Sequence, residues 1–256
     1  MDDALIIVEI NEKNTAISIA NTDGSITHTE KYSLDIADIT PETWSWEIGG
    51  LIAKTLGLEN EKRSSKAIVI SFPGFIDMMT GKIISSPFNK KLNNFSITND
   101  LKINIDSPIS AESKIKNALI GEHWQGIGQG VHNIIYIDLK DMYNAALLID
   151  DQIIHGANLL AGELEIPESI KTMQHLGGEK IENIIKRIID LAIIIDSEMI
   201  IIDAKKNNID AIISLMKSLI KEKNYHIKIE KPMLEEKSSL MGAIKIALTL
   251  SFENTD

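Results

Sequence analysis

Residues 4–33 read ALIIVEINEKNTAISIANTDGSITHTEKYS, and the reading of this stretch decides the fold. Positions 4–10, 14–20 and 25–33 are short runs rich in β-branched residues, which favour strands because branched side chains pack well on a pleated surface. Asn21, Thr22, Asp23 and Gly24 join the last two runs, and residues of that kind turn a chain back on itself as a hairpin. The N-terminal stretch is therefore an expected three-stranded meander. Thr40 is the expected N-cap of a helix and Pro41 its first helical residue. Trp44, Ile48, Leu51, Ile52 and Leu56 then recur at helical spacing before Gly57. Residues 66–72 form a further strand that stops at Pro73 and Gly74, and Met79 to Lys82 punctuate a second hairpin. Trp44 and Trp46 lie two apart, so one is expected in the core and the other near the surface.

The same order of elements returns later. Residues 109–125 pass from a short strand into a helix carrying Ile115, Leu119 and Ile120, and Gly126, Gly128 and Gly130 loosen the chain after it. A second meander is expected over 132–139, 143–149 and 152–154. Helices are expected at about 178–195, 207–223 and 236–251, with strands at 198–203 and 227–230 between them. A βββαβα order that occurs twice without evident sequence repetition predicts an α/β chain of two lobes with related topology around a cleft. The expected boundaries are 1–112 together with a C-terminal helix at 238–256 for the first lobe, and 113–237 for the second.

Composition narrows the functional classes. At 256 residues and 44% hydrophobic content the chain can bury a substantial core. It has no cysteine, which excludes disulfides, thiolate chemistry and cysteine-ligated zinc. A net charge of −11 repels nucleic-acid phosphates, no basic module accompanies it, and only three residues precede the first strand, so no nucleic-acid partner is expected. No apolar run is long enough to span a bilayer and no basic leader opens the chain, so a cytoplasmic protein without a membrane partner is expected. His28, His123, His132, His155, His175 and His226 are scattered without a helical pair, and no metal is expected.

Several segments resemble, in order along nearly the whole chain, the ROK family of repressors, open reading frames and sugar kinases. Gly121 to Gly130, GEHWQGIGQG, is similar to that family's GE-x-W-x-G-A-G-x-G. Residues 153–163, IIHGANLLAGE, resemble its stretch ending in AGE. Pro73 and Gly74 match the PG of its early turn, with Gly81 following in place, and Leu240 to Ala243 resemble the GA that opens its last helix. The resemblance implies a two-lobed actin-like ATPase fold, a ribonuclease H-like duplication of the sugar kinase type, in which the lobes close over ATP and a sugar.

The resemblance also implies which residues to test, and most are replaced. The first phosphate turn, D-x-GGT in the family, falls on Glu9, Ile10, Asn11, Glu12 and Lys13, with both glycines gone. The second, GTGIG, falls on Lys140 to Asn144, and the adenosine loop on Asp203, Ala204 and Lys205, again without glycine. Glycine matters at such turns because backbone N–H groups approach phosphate only where no Cβ intervenes. The segment E-N-D-x-N-A aligns with Glu112, Ser113, Lys114, Ile115, Lys116 and Asn117, which puts Lys114 at the position of the catalytic aspartate. A protonated lysine cannot act as a general base, a role worth roughly a hundred- to ten-thousand-fold in rate. Glu163 matches a sugar-contacting glutamate, the histidine expected after it is Ile166, and the family's cysteine-rich zinc loop has no counterpart after Pro167. Gly177 and Gly178 are read as a loop, because no Lys-Ser/Thr follows them.

No catalytic residue is therefore assigned. The ligand-binding candidates are Glu163, Ser113, Lys114 and Gly74, for a small sugar-like molecule, and an anionic derivative fits the exchange at Lys114. The bland reading makes Glu163 a surface residue and Lys114 a solvated helix start. The leading expectation is a non-catalytic homodimer, joined mainly through the later lobe, that senses a sugar or sugar phosphate or serves as an interaction subunit without a cofactor. The alternative is an ATP- and magnesium-dependent sugar kinase of glucokinase or N-acetylmannosamine kinase type with divergent loops. A repressor is a third reading, weakened by the acidic charge.

Overall fold

A computed structural model describes residues 4–57, 65–102, 105, 107–140, 143–164 and 179–253. The chain divides into two compact units, Met1–Asn117 with Ser239–Asp256, and Ala118–Ser238.

In the first unit β1 (Ala4–Ile10), β2 (Asn14–Ala20) and β3 (Ile26–Ser33) form the meander that the apolar runs predict, in a five-stranded sheet. β4 (Ser65–Phe72) adds parallel to β1, and β7 (Ile109–Ser113) adds parallel to β4, giving the order β3-β2-β1-β4-β7. β5 (Phe75–Asp77) and β6 (Lys82–Ser85) make a separate hairpin. β1 and β4 are buried almost along their whole length, as strands covered on both faces must be, and read as near-continuous hydrophobic runs. The core around them includes Ile6, Val8, Ile68, Ile70, Phe72, Trp44 and Ile48.

α1 spans Trp44–Gly57, later than Thr40 and Pro41 suggest. Residues 41–43 instead form a turn in which the Trp44 amide already donates to the Thr40 carbonyl at 3.0 Å. Of the paired tryptophans, Trp44 is fully buried and Trp46 is 76% exposed. A short helix α2 (Ile97–Lys102) has no expected counterpart in the sequence pattern, since six residues carry too little periodicity to read. β7 runs directly into α3 (Lys114–Gln125).

The second unit repeats the plan. β8 (Ile134–Asp138), β9 (Asn144–Ile149) and β10 (Gln152–Ile153) form a meander, and β11 (Met199–Asp203) and β12 (Lys228–Glu230) extend it in parallel, in the order β10-β9-β8-β11-β12. α4 (Glu179–Ile194) and α5 (Ile209–Glu222) contribute Ile185, Ile188, Ile189, Ile212 and Met216 to its core. α6 (Ser238–Glu253) belongs with the first unit from Ser239 onward. There a Cβ on Gly242 would lie 1.8 Å from the Asn117 carbonyl oxygen, so only glycine lets α6 press against α3 so closely.

Candidate functional site

In the first unit, three parallel strands end side by side, and their ends carry the polar groups. β1 delivers Glu9, whose register partner on β4 is Ser71, and β7 opposes Ser71 with Glu112. Directly beyond β1, the β1–β2 turn is closed by the Asn11 amide donating to the Asn14 carbonyl at 2.9 Å and by the Asn11 Nδ2 donating to Asn14 Oδ1 at 3.0 Å. Asn11 Oδ1 faces away from that bond and accepts from Lys114 Nζ at 2.5 Å. Lys114 is the first residue of α3, and it is partly buried.

Partial burial pushes the Glu9 carboxyl above its ordinary value, while the Lys114 ammonium, the Ser239 hydroxyl and the Lys31 ammonium pull it back. Ser239, at the start of α6, shares a 2.8 Å hydrogen bond with Ser71. Glu9, Asn11, Lys114, Ser71 and Ser239 thus form one polar cluster at the strand ends. Lys13, the last residue of the turn, is exposed and pairs with Asp35 at 2.5 Å.

The remaining candidates separate. Ser113 is fully buried, its amide donating to Glu112 Oε1 at 2.6 Å, and its Oγ has no partner among the described residues. The same holds for Lys116 Nζ and Asn117 Oδ1, both on fully buried residues. Lys116 Nζ stands 5.8 Å from the centre of the Phe75 ring. Burial lowers the Lys116 ammonium below its usual range, and the Glu112 carboxylate opposes that shift. Gly74 is buried where a Cβ would come within 2.3 Å of the Ser85 carbonyl oxygen, so its place is explained by the packing of the β5–β6 hairpin.

Glu163 lies in the second unit, exposed, bridged as a strand pair to Asn144. Gly162 before it has a φ of +95°, and a Cβ there would meet the Ala145 carbonyl oxygen at 1.8 Å. The Ala145 amide donates to the Gly162 carbonyl at 2.7 Å, so this segment is stitched onto β9. Of the second turn, Lys140 donates its amide to Asp138 Oδ1 at 2.7 Å, and Tyr143 takes a φ of +51°; Asp141 and Met142 lie outside the described residues. So do Ile166, Pro167, His175, Gly177 and Gly178. Asp203 accepts the Leu139 amide through its carbonyl at 2.7 Å.

One residue that sequence reasoning did not single out organises the second unit. The Glu122 carboxylate is fully buried and accepts from the amides of Ile127, Met233 and Leu234 and from Ser238 Oγ, at 2.7–3.1 Å. A Cβ on Gly126 would stand 2.0 Å from Glu122 Oε2. The motif of Gly121 to Gly130 is therefore a knuckle that ties α3 to the loop before α6, and Gly126 makes room for a carboxylate of the protein's own. No local signal marks it, because glutamate is ordinarily solvated.

No group of three or more histidine, aspartate or glutamate side chains among the described residues has the geometry to hold a metal ion. No described helix is long and apolar enough to cross a membrane.

Comparison with known proteins follows the same pattern. The family model described as ROK family matches residues 5–165. A beta-glucoside kinase of Klebsiella pneumoniae is 30% identical over 100 residues, 39% of this chain and 34% of that protein. A glucokinase of Halalkalibacterium halodurans is 30% identical over 108 residues, 42% of this chain and 32% of that protein. The chain spans about a third of the length of these curated relatives. Among solved structures, a glucokinase from Streptomyces griseus in complex with glucose and AMPPNP superposes with a TM-score of 0.71 at 15% identity, over 96% of this chain and 99% of that one. Likeness at that identity shows the fold, which is the actin-like ATPase fold of the sugar kinases.

Proposed function

The chain belongs to the ROK family, and we propose that it is a non-catalytic member that senses a sugar or sugar phosphate. The observation that carries this reading is the bond from Lys114 Nζ to Asn11 Oδ1. It joins the residue at the position matching the family's catalytic aspartate to the turn matching the first phosphate turn. A cation stands where a proton acceptor would be needed, and it is spent on the protein's own turn.

ATP with magnesium is the cofactor that the family implies, and the residues at hand do not fit it. Asn11, Glu12 and Lys13 close the β1–β2 turn without glycine, and Lys114 brings its positive charge to Glu9 in place of a metal ion. The alternative, a sugar kinase with divergent loops, draws on the relatives named as kinases. A homodimer formed through residues 118–238 goes with the sensor reading, and Ile194, Tyr225 and Met233 leave apolar surface exposed on that unit. Light scattering that found only monomer would remove the dimer.

The direct test has two arms. Calorimetric titration with magnesium ATP should give no heat of binding, and thermal shift against hexoses, amino sugars and their phosphates should reveal a stabilising ligand. A ligand at a hundred times its dissociation constant stabilises by about 2.7 kcal/mol. ATP-dependent phosphate transfer to any sugar in a coupled assay overturns the reading in favour of the kinase.

A further inference from the structure

Around the first turn of α3 the protein buries three polar atoms for which it supplies no partner among the described residues: Ser113 Oγ, Lys116 Nζ and Asn117 Oδ1. Each belongs to a residue that is 0% exposed. A buried polar group without a hydrogen bond costs roughly 1–3 kcal/mol. Two such groups in the first turn of α3 and one at the end of β7 directly before it call for a compensating molecule.

Their chemistry defines that molecule. The first N–H groups of α3 have no partner within the helix and point back toward Ser113, which makes the helix start favourable to negative charge. Lys116 adds an ammonium within the same turn, beside the Phe75 ring. The Glu112 carboxylate, which accepts the Ser113 amide, offsets part of that charge, so the site favours a singly charged group over a dianion. A carboxylate therefore fits better than a phosphate dianion. Asn117 Oδ1 can only accept, and a carboxylate has no proton to give it, so the ligand also needs a hydroxyl.

We propose that the first turn of α3 binds a small polyhydroxy carboxylate, a sugar acid, with its carboxylate on Lys116 Nζ, Ser113 Oγ and the first helical N–H groups and its hydroxyl on Asn117 Oδ1. This rests on the sensor reading and names its ligand class. Lys114 is not the anion-receiving group in this arrangement, because its ammonium is already committed to Asn11.

The test titrates the full chain with gluconate, glucuronate, glucose, glucose 6-phosphate and acetate, by calorimetry. Gluconate or glucuronate is expected to bind at least about tenfold more tightly than the other three, a difference of about 1.4 kcal/mol. Lys116→Met is expected to lose at least that factor for gluconate and glucuronate while leaving the response to glucose, which has no carboxylate, unchanged; a lysine needed only for the fold would affect all ligands alike. Ser113→Ala, which keeps the charge and the packing, is expected to weaken carboxylate binding several-fold and serves if Lys116→Met does not fold. The proposal is overturned by carboxylates binding no better than glucose, by binding unchanged in both variants, or by no binding from the panel. Glucose binding without a carboxylate preference removes this site and leaves the sensor reading standing. Turnover of ATP removes the non-catalytic reading, and the carboxylate titration still judges the site.

Discussion

Lys114 Nζ donates to Asn11 Oδ1 at 2.5 Å, bridging residues 103 positions apart and joining the start of α3 to the β1–β2 turn. The bond gives each partner a role that neither has alone. Asn11 closes its own turn through Nδ2 and offers the remaining oxygen to the helix, while the ammonium offsets the cost of holding Glu9 partly buried.

Lys114→Ala should therefore destabilise the fold by about 1–3 kcal/mol, the usual cost of leaving a partly buried hydrogen-bond acceptor unmatched. Its pH dependence follows from Glu9. The folded carboxyl lies above its ordinary value of 4.5, so its contribution is present at low pH and lost as pH rises through the folded value. Removing the ammonium raises that value further and widens the window. Urea midpoints of parent and variant should diverge between about pH 4 and about pH 8; an equal gap at both would mean that the two groups do not communicate.

Lys114→Asp should not produce a kinase. Under the proposed correspondence it restores the residue type of the family's base, but it leaves Asn11, Glu12 and Lys13 in the turn and places a carboxylate beside Glu9. A coupled assay with glucose and ATP should stay at background, and measurable turnover would show that the phosphate turn is functional as it stands.

Glu122→Ala should be among the most damaging single changes. It strands the amides of Ile127, Met233 and Leu234 and the hydroxyl of Ser238, each bonded to one carboxylate. Hydrogen bonds to charged groups contribute about 1.5–3 kcal/mol each, so a loss of at least about 3 kcal/mol is expected in guanidinium unfolding. A loss under about 1 kcal/mol would reduce the knuckle to a crossing of loops.

Gly242→Ala tests the seam between α3 and α6. The added methyl would begin 1.8 Å from the Asn117 carbonyl oxygen, and because that atom is backbone, the helices themselves must part. A cost of about 1–3 kcal/mol is expected from overpacking, read as a lower melting temperature.

The surface carries a smaller titration. Asp151 accepts from His132 Nδ1 at 2.7 Å and stands 3.2 Å from His123 Nε2. The carboxylate raises the His132 imidazolium above its usual 6.5, and the imidazole lowers Asp151 below its usual 3.8. The histidine contribution is complete below its unfolded value and lost as pH rises through the folded one; the aspartate contribution is lost as pH falls through its own folded value. Asp151→Asn should therefore lower the melting temperature most in weakly acidic solution, and the two proteins should converge at alkaline pH.

Much of this was legible in the sequence because its signals are local. The apolar runs of β1, β2 and β4 and the turn residues Asn21 to Gly24 need no knowledge of distant neighbours. The turn at Asn11 to Lys13, between two apolar runs, was equally readable. What could not be read depends on contacts far along the chain. Nothing near Lys116 announces that a lysine on a mixed segment is fully buried, since lysine is ordinarily solvated. Nothing near Glu122 names Met233 and Leu234, more than a hundred positions away, as its donors. The start of α1 was displaced because the turn at 41–43 satisfies the same Thr40 carbonyl that a helix would.

The return of α6 to the first unit also sets an order of assembly. Residues 118–238 form one compact unit that is continuous along the chain. The first unit is not: Ser71 must find Ser239, and Asn117 must meet Gly242, before its sheet has its final cover. Domains usually complete themselves from the N-terminus as synthesis proceeds. In this protein the stretch made first depends for its last contacts on the stretch made last, so its completion is expected to wait for α6.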